Sequence, residues 1–127
     1  MRKKYITDDI VSTTPAWYWS LGLHDAKITR VSFFELPFDY KKKDSKRNCF
    51  ELLLDASGAI YDTQITSIRL YNYKISSGNA DIQGQWWMCD SLSFDSGKHI
   101  LYLTTTDSKD NHYEIVVRFD DAEVVRK

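Results

Sequence analysis

The sequence predicts an all-β fold in which seven or eight mostly antiparallel strands form a sandwich or a curled, barrel-like sheet, with a short N-terminal helical turn. Short runs of alternating apolar and polar residues predict the strands, most clearly at Tyr113–Phe119, because a period of two sends every second side chain into a core. Aromatic residues make up 14% of the chain and favour pleated surfaces over helices. Tight turns between the last runs exclude a βαβ fold, which needs crossover helices.

The N-terminal helical turn is predicted within residues 5–14. Thr7 can cap it, and Asp8 and Asp9 in its first turn favour the positive end of the helix dipole. Pro15 would end it, because proline disfavours helical geometry in the residue before it. Three adjacent rings follow at Trp17-Tyr18-Trp19. They cannot all point inward from a strand, so we expect at least one to lie over the rim of the core.

The first long strand is predicted at about Leu23–Phe38. Its apolar positions change parity between Ile28 and Val31. One extra residue near Thr29 or Arg30 would restore a single apolar face, and this pattern indicates a β-bulge.

The later strands follow from the same alternation and from turn residues between the runs. They are predicted at Cys49–Asp55, Ala59–Gln64, Ile65–Ile75, Trp86–Phe94, His99–Thr106 and Tyr113–Phe119, and a short edge strand could follow through Val124 and Val125. The strand at Ile65–Ile75 is expected to place Tyr71 and Tyr73 together on the face opposite its inward residues. Residues 76–85 are expected to form the longest loop.

Composition narrows the class of protein. A chain of 127 residues is most simply one domain covering residues 1–127. A hydrophobic share of 43% and a net charge of −1 argue against disorder and against a general attraction to nucleic acid or lipid. The basic run Lys41–Arg47 is interpreted as a solvated loop. No signal peptide or apolar run of about 18 residues is present in this sequence, so we expect a cytoplasmic protein with no membrane and no nucleic-acid partner.

The pair His24-Asp25 is the first candidate for chemistry, since a histidine beside a carboxylate can act as a base with its orienting group. Neighbouring strand residues point to opposite faces, so we expect their side chains not to meet. The preferred interpretation is structural, with Asp25 accepting backbone N–H groups at the strand entrance.

No other motif indicates catalysis or a cofactor. The three histidines and the cysteines Cys49 and Cys89 lack the close spacing of a zinc site, and two buried free thiols are expected. The sequence contains neither the Gly-x-Ser-x-Gly elbow of a nucleophilic serine nor a glycine-rich phosphate-binding loop. We therefore predict no catalytic residue, no metal and no cofactor.

The segment Leu23–Val31, which reads Leu-His-Asp-Ala-Lys-Ile-Thr-Arg-Val, resembles the opening of several families of small bacterial β proteins. In them a His-Asp-Ala/Ser run begins the first long strand, and an aromatic residue lies shortly upstream, as Trp17 or Trp19 does here. Some of these proteins resemble immunity proteins of bacterial polymorphic-toxin systems. The resemblance implies a small cytoplasmic bacterial domain that binds another protein, and it transfers no catalytic role.

The surplus of rings is the main indication of binding, since Tyr and Trp are enriched at interaction hot spots. The candidate binding residues are Trp17, Trp19, Tyr71, Tyr73 and Trp87. We expect a non-enzymatic protein-binding domain, with acidic residues such as Asp90 and Glu114 selecting the partner; a homodimer is a further option. Two alternatives stay open. The rings could pack a two-sided core, or Tyr71, Tyr73 and Trp87 could line a small-ligand pocket in the mouth of the sheet.

Overall fold

Eight antiparallel strands form one sheet in the computed structural model, which describes residues 22–36, 47–59 and 64–126. The strands are β1 (Lys27–Leu36), β2 (Arg47–Asp55), β3 (Ile65–Tyr71), β4 (Lys74–Gly78), β5 (Trp86–Asp95), β6 (Lys98–Thr106), β7 (His112–Phe119) and β8 (Asp121–Arg126). The predicted all-β class is confirmed. The predicted helical turn and the Trp17-Tyr18-Trp19 run lie outside the described residues.

The sheet curls back on itself. Its strand order is β4-β7-β6-β5-β1-β2-β3-β8, and β3 leads into β4 while β7 leads into β8 across short corners. The two bent strands stay paired through the corner, since Tyr71 lies opposite Asp121 and Lys74 lies opposite Arg118. The ends of the sheet are therefore joined by chain continuity, and the barrel-like alternative describes the fold better than two separate sheets.

A side-chain network at the corner connects β3–β4 to β7–β8. Asn72 donates from Nδ2 to Asp120 Oδ2 at 2.8 Å, and Lys98 forms an ion pair with the same carboxylate. The backbone N–H of Asp120 donates to Tyr71 O at 3.0 Å. The hydrogen bond from Lys98 is the main cause that lowers the pKa of Asp120.

The predicted continuous strand Ile65–Ile75 is wrong, because the chain turns at Asn72. This residue has φ 53°, and asparagine tolerates that left-handed conformation better than most residues. Tyr71 and Tyr73 consequently do not share a face. The sequence also placed residues 76–85 in a loop, whereas β4 continues to Gly78. Another predicted strand, residues 59–64, is not strand at Ala59 or Gln64, and its middle lies outside the described residues.

The predicted β-bulge in the first strand is confirmed. The pairing of β1 with β2 shifts between Ile28, opposite Leu54, and Arg30, opposite Leu53. The shift places both Ile28 and Val31 on the inward side, since each then lies opposite an inward leucine of β2. The predicted short strand near the C-terminus is also confirmed, because β8 pairs with β3.

Inward side chains from all parts of the sheet fill the core. The largest fully buried side chains are Trp87, Phe50, Phe119, Leu23, Ile28, Leu52, Ile65, Ile68, Leu70, Ile82, Leu101 and Leu103. β1 and β5 meet only where Lys27 lies opposite Trp86. The sheet thus has two outward surfaces, which we call the first outer face (β1, β2, β3 and β8) and the second outer face (β5, β6 and β7).

Candidate functional site

Trp87, a predicted binding residue, is a core side chain. Its ring has no exposed area, and its indole N–H donates to Asp90 Oδ2 at 2.6 Å. A buried tryptophan usually needs a partner for that N–H, and Asp90 supplies it. The Asp90 carboxylate, which was expected to select a partner, therefore binds a buried ring. Trp87 exposes no area that a partner could contact.

Tyr71, the second predicted binding residue, lies on the first outer face but is only 8% exposed. Its hydroxyl donates to Glu123 Oε1 at 3.2 Å. Burial is the main cause that raises the pKa of Tyr71. The ring is a packed part of this face.

Arg69 is the centre of the first outer face. It lies directly between Glu51 on β2 and Glu123 on β8 in the strand ladder. Its Nε donates to Glu51 Oε2 at 2.6 Å, and its Nη1 donates to Glu123 Oε1 at 3.0 Å. The hydrogen bond to Glu51 is the main cause that raises the pKa of Arg69. Each carboxylate of this row is thus paired with the same guanidinium, which leaves the row with one excess negative charge.

Tyr73, the third predicted residue, belongs to a ring cluster at the inward side of the β1–β2 hairpin. We call this the Phe33 cluster (Phe33, Phe50 and Tyr73). Phe33 and Phe50 stack with centroids 5.0 Å apart and an interplanar angle of 10°. Tyr73 lies 5.6 Å from Phe33 and 5.7 Å from Phe50. Phe50 is buried, but Phe33 is 50% exposed.

Phe33 was missed as a site residue because its place in the alternation indicates a core side chain. The pairing of β1 with β2 is the signal that identifies Phe33 as a site residue. In it, Phe33 lies opposite Phe50 near the far end of the hairpin. There β1 has already left β5, since their pairing is confined to Lys27 and Trp86. Trp17 and Trp19, the other predicted binding residues, lie outside the described residues.

The second outer face presents Tyr102, which is 40% exposed. Across the ladder it lies between Ser91 on β5 and Val116 on β7. The next outward pair along the strands is Thr104 with Glu114 on one side. On the other side it is Ile100 with Arg118.

The side chains of His24 and Asp25 meet, so the expectation that they would point apart is wrong. Their Nδ1 and Oδ2 atoms are 3.1 Å apart, with both side chains about half exposed. The reason is that the two residues form a turn before β1, with Asp25 at φ 72°. The backbone N–H of Asp25 donates to Trp87 O at 2.8 Å.

Cys49 and Cys89 are not joined in a disulfide. Only Cys49 is buried and Cys89 is exposed, against the expectation of two buried thiols. No three His, Cys, Asp or Glu side chains in the described part of the chain are placed to hold a metal ion. Within residues 22–36, 47–59 and 64–126, the structure contains no helix with the length and apolarity needed to cross a lipid bilayer.

A shallow cleft of about 280 Å³ opens at the end of β2 and the start of β3. Its lining residues are Leu54, Asp55, Ala56, Ser57, Gln64, Ile65 and Thr66. None of the rings predicted to line a ligand pocket belongs to it.

Comparison with protein-family models, with curated proteins and with solved structures finds no match for this chain.

Proposed function

We propose that this chain is a cytoplasmic, non-enzymatic protein-binding domain that contacts its partner through the Phe33 cluster. The observation that carries the proposal is the half-exposed ring of Phe33, which Phe50 and Tyr73 hold in place from behind. An apolar ring that is already ordered loses little conformational entropy when a partner covers it. Such supported rings are typical of interaction hot spots.

Covering the exposed part of the Phe33 ring would contribute substantially to the binding free energy. A phenylalanine side chain buries roughly 200 Å², so covering its exposed half removes about 100 Å² from water. At about 25 cal/mol per Å² this contributes about 2.5 kcal/mol, or 50- to 100-fold in affinity.

Two ring truncations test the proposal. Phe33→Ala should abolish or strongly weaken capture of the partner, whereas Phe94→Ala removes a similarly exposed ring, 45% exposed, outside the cluster. We would use the wild-type chain and both variants as baits in a lysate of the source organism. A protein retained by the wild-type and Phe94→Ala baits but lost with Phe33→Ala supports the proposal. If no captured protein distinguishes Phe33→Ala from the wild-type chain, the proposal fails.

An immunity-like role is the specific form of this proposal, supported by the resemblance at Leu23–Val31. The partner would then be a toxin encoded beside this gene. Co-expression of the neighbouring gene product with the wild-type chain should restore growth, and Phe33→Ala should not. If the wild-type chain and Phe33→Ala both restore growth, the Phe33 cluster is not the surface that neutralises the toxin.

A small-ligand-binding domain is the second candidate, and the cleft between β2 and β3 is the observation in its favour. Its apolar floor of Leu54 and Ile65 and its polar rim at Asp55 and Thr66 combine the two kinds of surface that ligand sites use. Thr66→Trp would fill it. A metabolite that raises the melting temperature of the wild-type chain and of Phe33→Ala, but not that of Thr66→Trp, would favour this function.

A further inference from the structure

We infer that the second outer face is a self-association surface on which a second copy of this chain docks about a two-fold axis. The inference does not depend on the proposed function, because the Phe33 cluster lies on the inward side of β1–β2. It begins from Tyr102, a ring 40% exposed in the middle of a sheet surface. Its ladder neighbours are the small, exposed side chain of Ser91 and the side chain of Val116, which is only 9% exposed, so Tyr102 supplies most of the apolar area at the centre of this face.

Two charges flank this tyrosine on the same strand. Glu114 and Arg118 are four residues apart on β7, with Val116 between them. Along a strand this spacing corresponds to about 13 Å, so the two side chains cannot pair with each other. Across the part of the chain that the structure describes, neither side chain has an ion pair or side-chain hydrogen bond.

The arrangement is complementary to itself. Two copies that stack face to face are related by a two-fold axis lying in the plane between them. If that axis runs along the Ser91–Tyr102–Val116 row, it turns β7 antiparallel to β7 of the second copy. Glu114 then lies over Arg118 of the second copy, and the reverse pair forms as well. The two Tyr102 rings meet at the centre.

The same charges favour a second copy over other occupants. A partner carrying one sign of charge, such as a nucleic acid, would be attracted by Arg118 and repelled by Glu114. Lys74, opposite Arg118 on β4 and exposed, strengthens the positive end of the face. A copy of the chain presents both signs in the matching order.

The size of the face predicts a weak dimer. Its strands β5, β6 and β7 contain 10, 9 and 8 residues. At about 4.8 Å between strands and 3.3 Å per residue, they cover roughly 400 Å². This is about half of the 800 Å² per partner that is usual in stable complexes. We expect association at high micromolar protein that weakens as salt is added, because exposed ion pairs are screened.

Charge reversal measured by sedimentation equilibrium tests the inference. Glu114→Arg or Arg118→Glu alone places like charges opposite each other in both symmetric contacts, so each should weaken dimerisation at least tenfold. The double variant Glu114→Arg/Arg118→Glu restores opposite charges and should dimerise within about threefold of the wild-type chain. Lys109→Glu, in the β6–β7 turn and away from the face, should leave the dimer unchanged.

Three outcomes for the wild-type chain and the charge variants would overturn the inference. The wild-type chain could remain monomeric up to millimolar protein, the double variant could stay as dissociated as either single variant, or Lys109→Glu could weaken the dimer equally through net charge. Tyr102→Ser gives an independent check that does not alter charge, and it should also weaken the dimer. A dimer unaffected by Tyr102→Ser would place the contact elsewhere. Circular dichroism of each variant verifies that the fold is retained.

Discussion

The charged side chains at the centres of the two outer faces are arranged in different ways. On the first outer face, Arg69 lies between Glu51 and Glu123 on neighbouring strands, and all three side chains are joined by hydrogen bonds. On the second outer face, Glu114 and Arg118 follow one another along a single strand. Opposite charges on adjacent strands lie within about 5.5 Å of each other, whereas charges four residues apart along one strand are separated by about 13 Å. Placement across or along the strands therefore decides whether opposite charges on one face can pair with each other.

We expect the greatest loss of stability from a substitution in β4, which borders the second outer face. Gly78 has φ 83°, and a Cβ atom there would lie 2.0 Å from the backbone oxygen of Glu114. Backbone atoms cannot move aside as a flexible side chain can, so Gly78→Ala should lower the free energy of unfolding by about 3 kcal/mol or more, or prevent folding.

Gly97→Ala is the matched control for this prediction. Gly97 has a similar φ of 79°, but a Cβ atom there would meet nothing within 4 Å. Only the backbone strain remains, at about 1 kcal/mol. Urea unfolding would give both values. Equal losses in the two variants would mean that β4 does not pack against β7 as closely as the structure indicates.

The same substitution on each outer face tests whether paired and unpaired charges contribute differently to stability. Arg69→Gln leaves Glu51, whose side chain is only 12% exposed, without its cation. We expect a loss of about 1–2 kcal/mol in the free energy of unfolding, kept modest because Arg69 itself is 39% exposed. Arg118→Gln should change stability by less than about 0.5 kcal/mol. Dilute protein should be used so that association does not contribute. A larger loss for Arg118→Gln would show that the second outer face depends on charge for folding.

Some local features of this fold were predictable from the sequence, whereas the pairing of distant strands was not. The parity change between Ile28 and Val31 predicts the bulge, because a bulge is a local response to alternation. The break at Asn72 was missed because the alternation of Tyr71 and Tyr73 continues through it. The closure of the sheet depends on which distant strands pair, and alternation carries no information about that.

The candidate site was predictable only in part for a related reason. Abundant rings indicate that some rings will be at a surface, but alternation does not identify which ones. Trp87 and Tyr71 are buried, and Asp90 and Glu123 accept the hydrogen bonds that their polar atoms need there. Phe33 is exposed because β1 separates from β5 beyond Lys27. Both facts depend on the tertiary arrangement.

A milder loss of stability is expected from a substitution at the corner where β3 turns into β4 and β7 into β8. Asp120→Asn removes the ion pair with Lys98 while keeping a side chain able to contact Asn72. We expect a loss of about 0.5–1 kcal/mol at pH 7, discounted because the Asp120 side chain is 40% exposed. Asp121→Asn is the control, since its carboxylate contacts the neighbouring backbone N–H of Ala122 and should matter less.

The wild-type chain and Asp120→Asn are expected to differ in the free energy of unfolding, and the pH dependence of that difference identifies its cause. The pKa of Asp120 is lowered below its usual 3.8 in the folded chain, mainly by the hydrogen bond from Lys98. As the pH falls, the unfolded chain therefore takes up the proton first. The stabilisation by Asp120 is present above pH 3.8 and disappears as the pH falls through the lower folded pKa. The unfolding curves of the wild-type chain and Asp120→Asn should therefore converge in acid. A difference that stays constant from pH 7 to pH 2.5 would assign the effect to packing instead of charge.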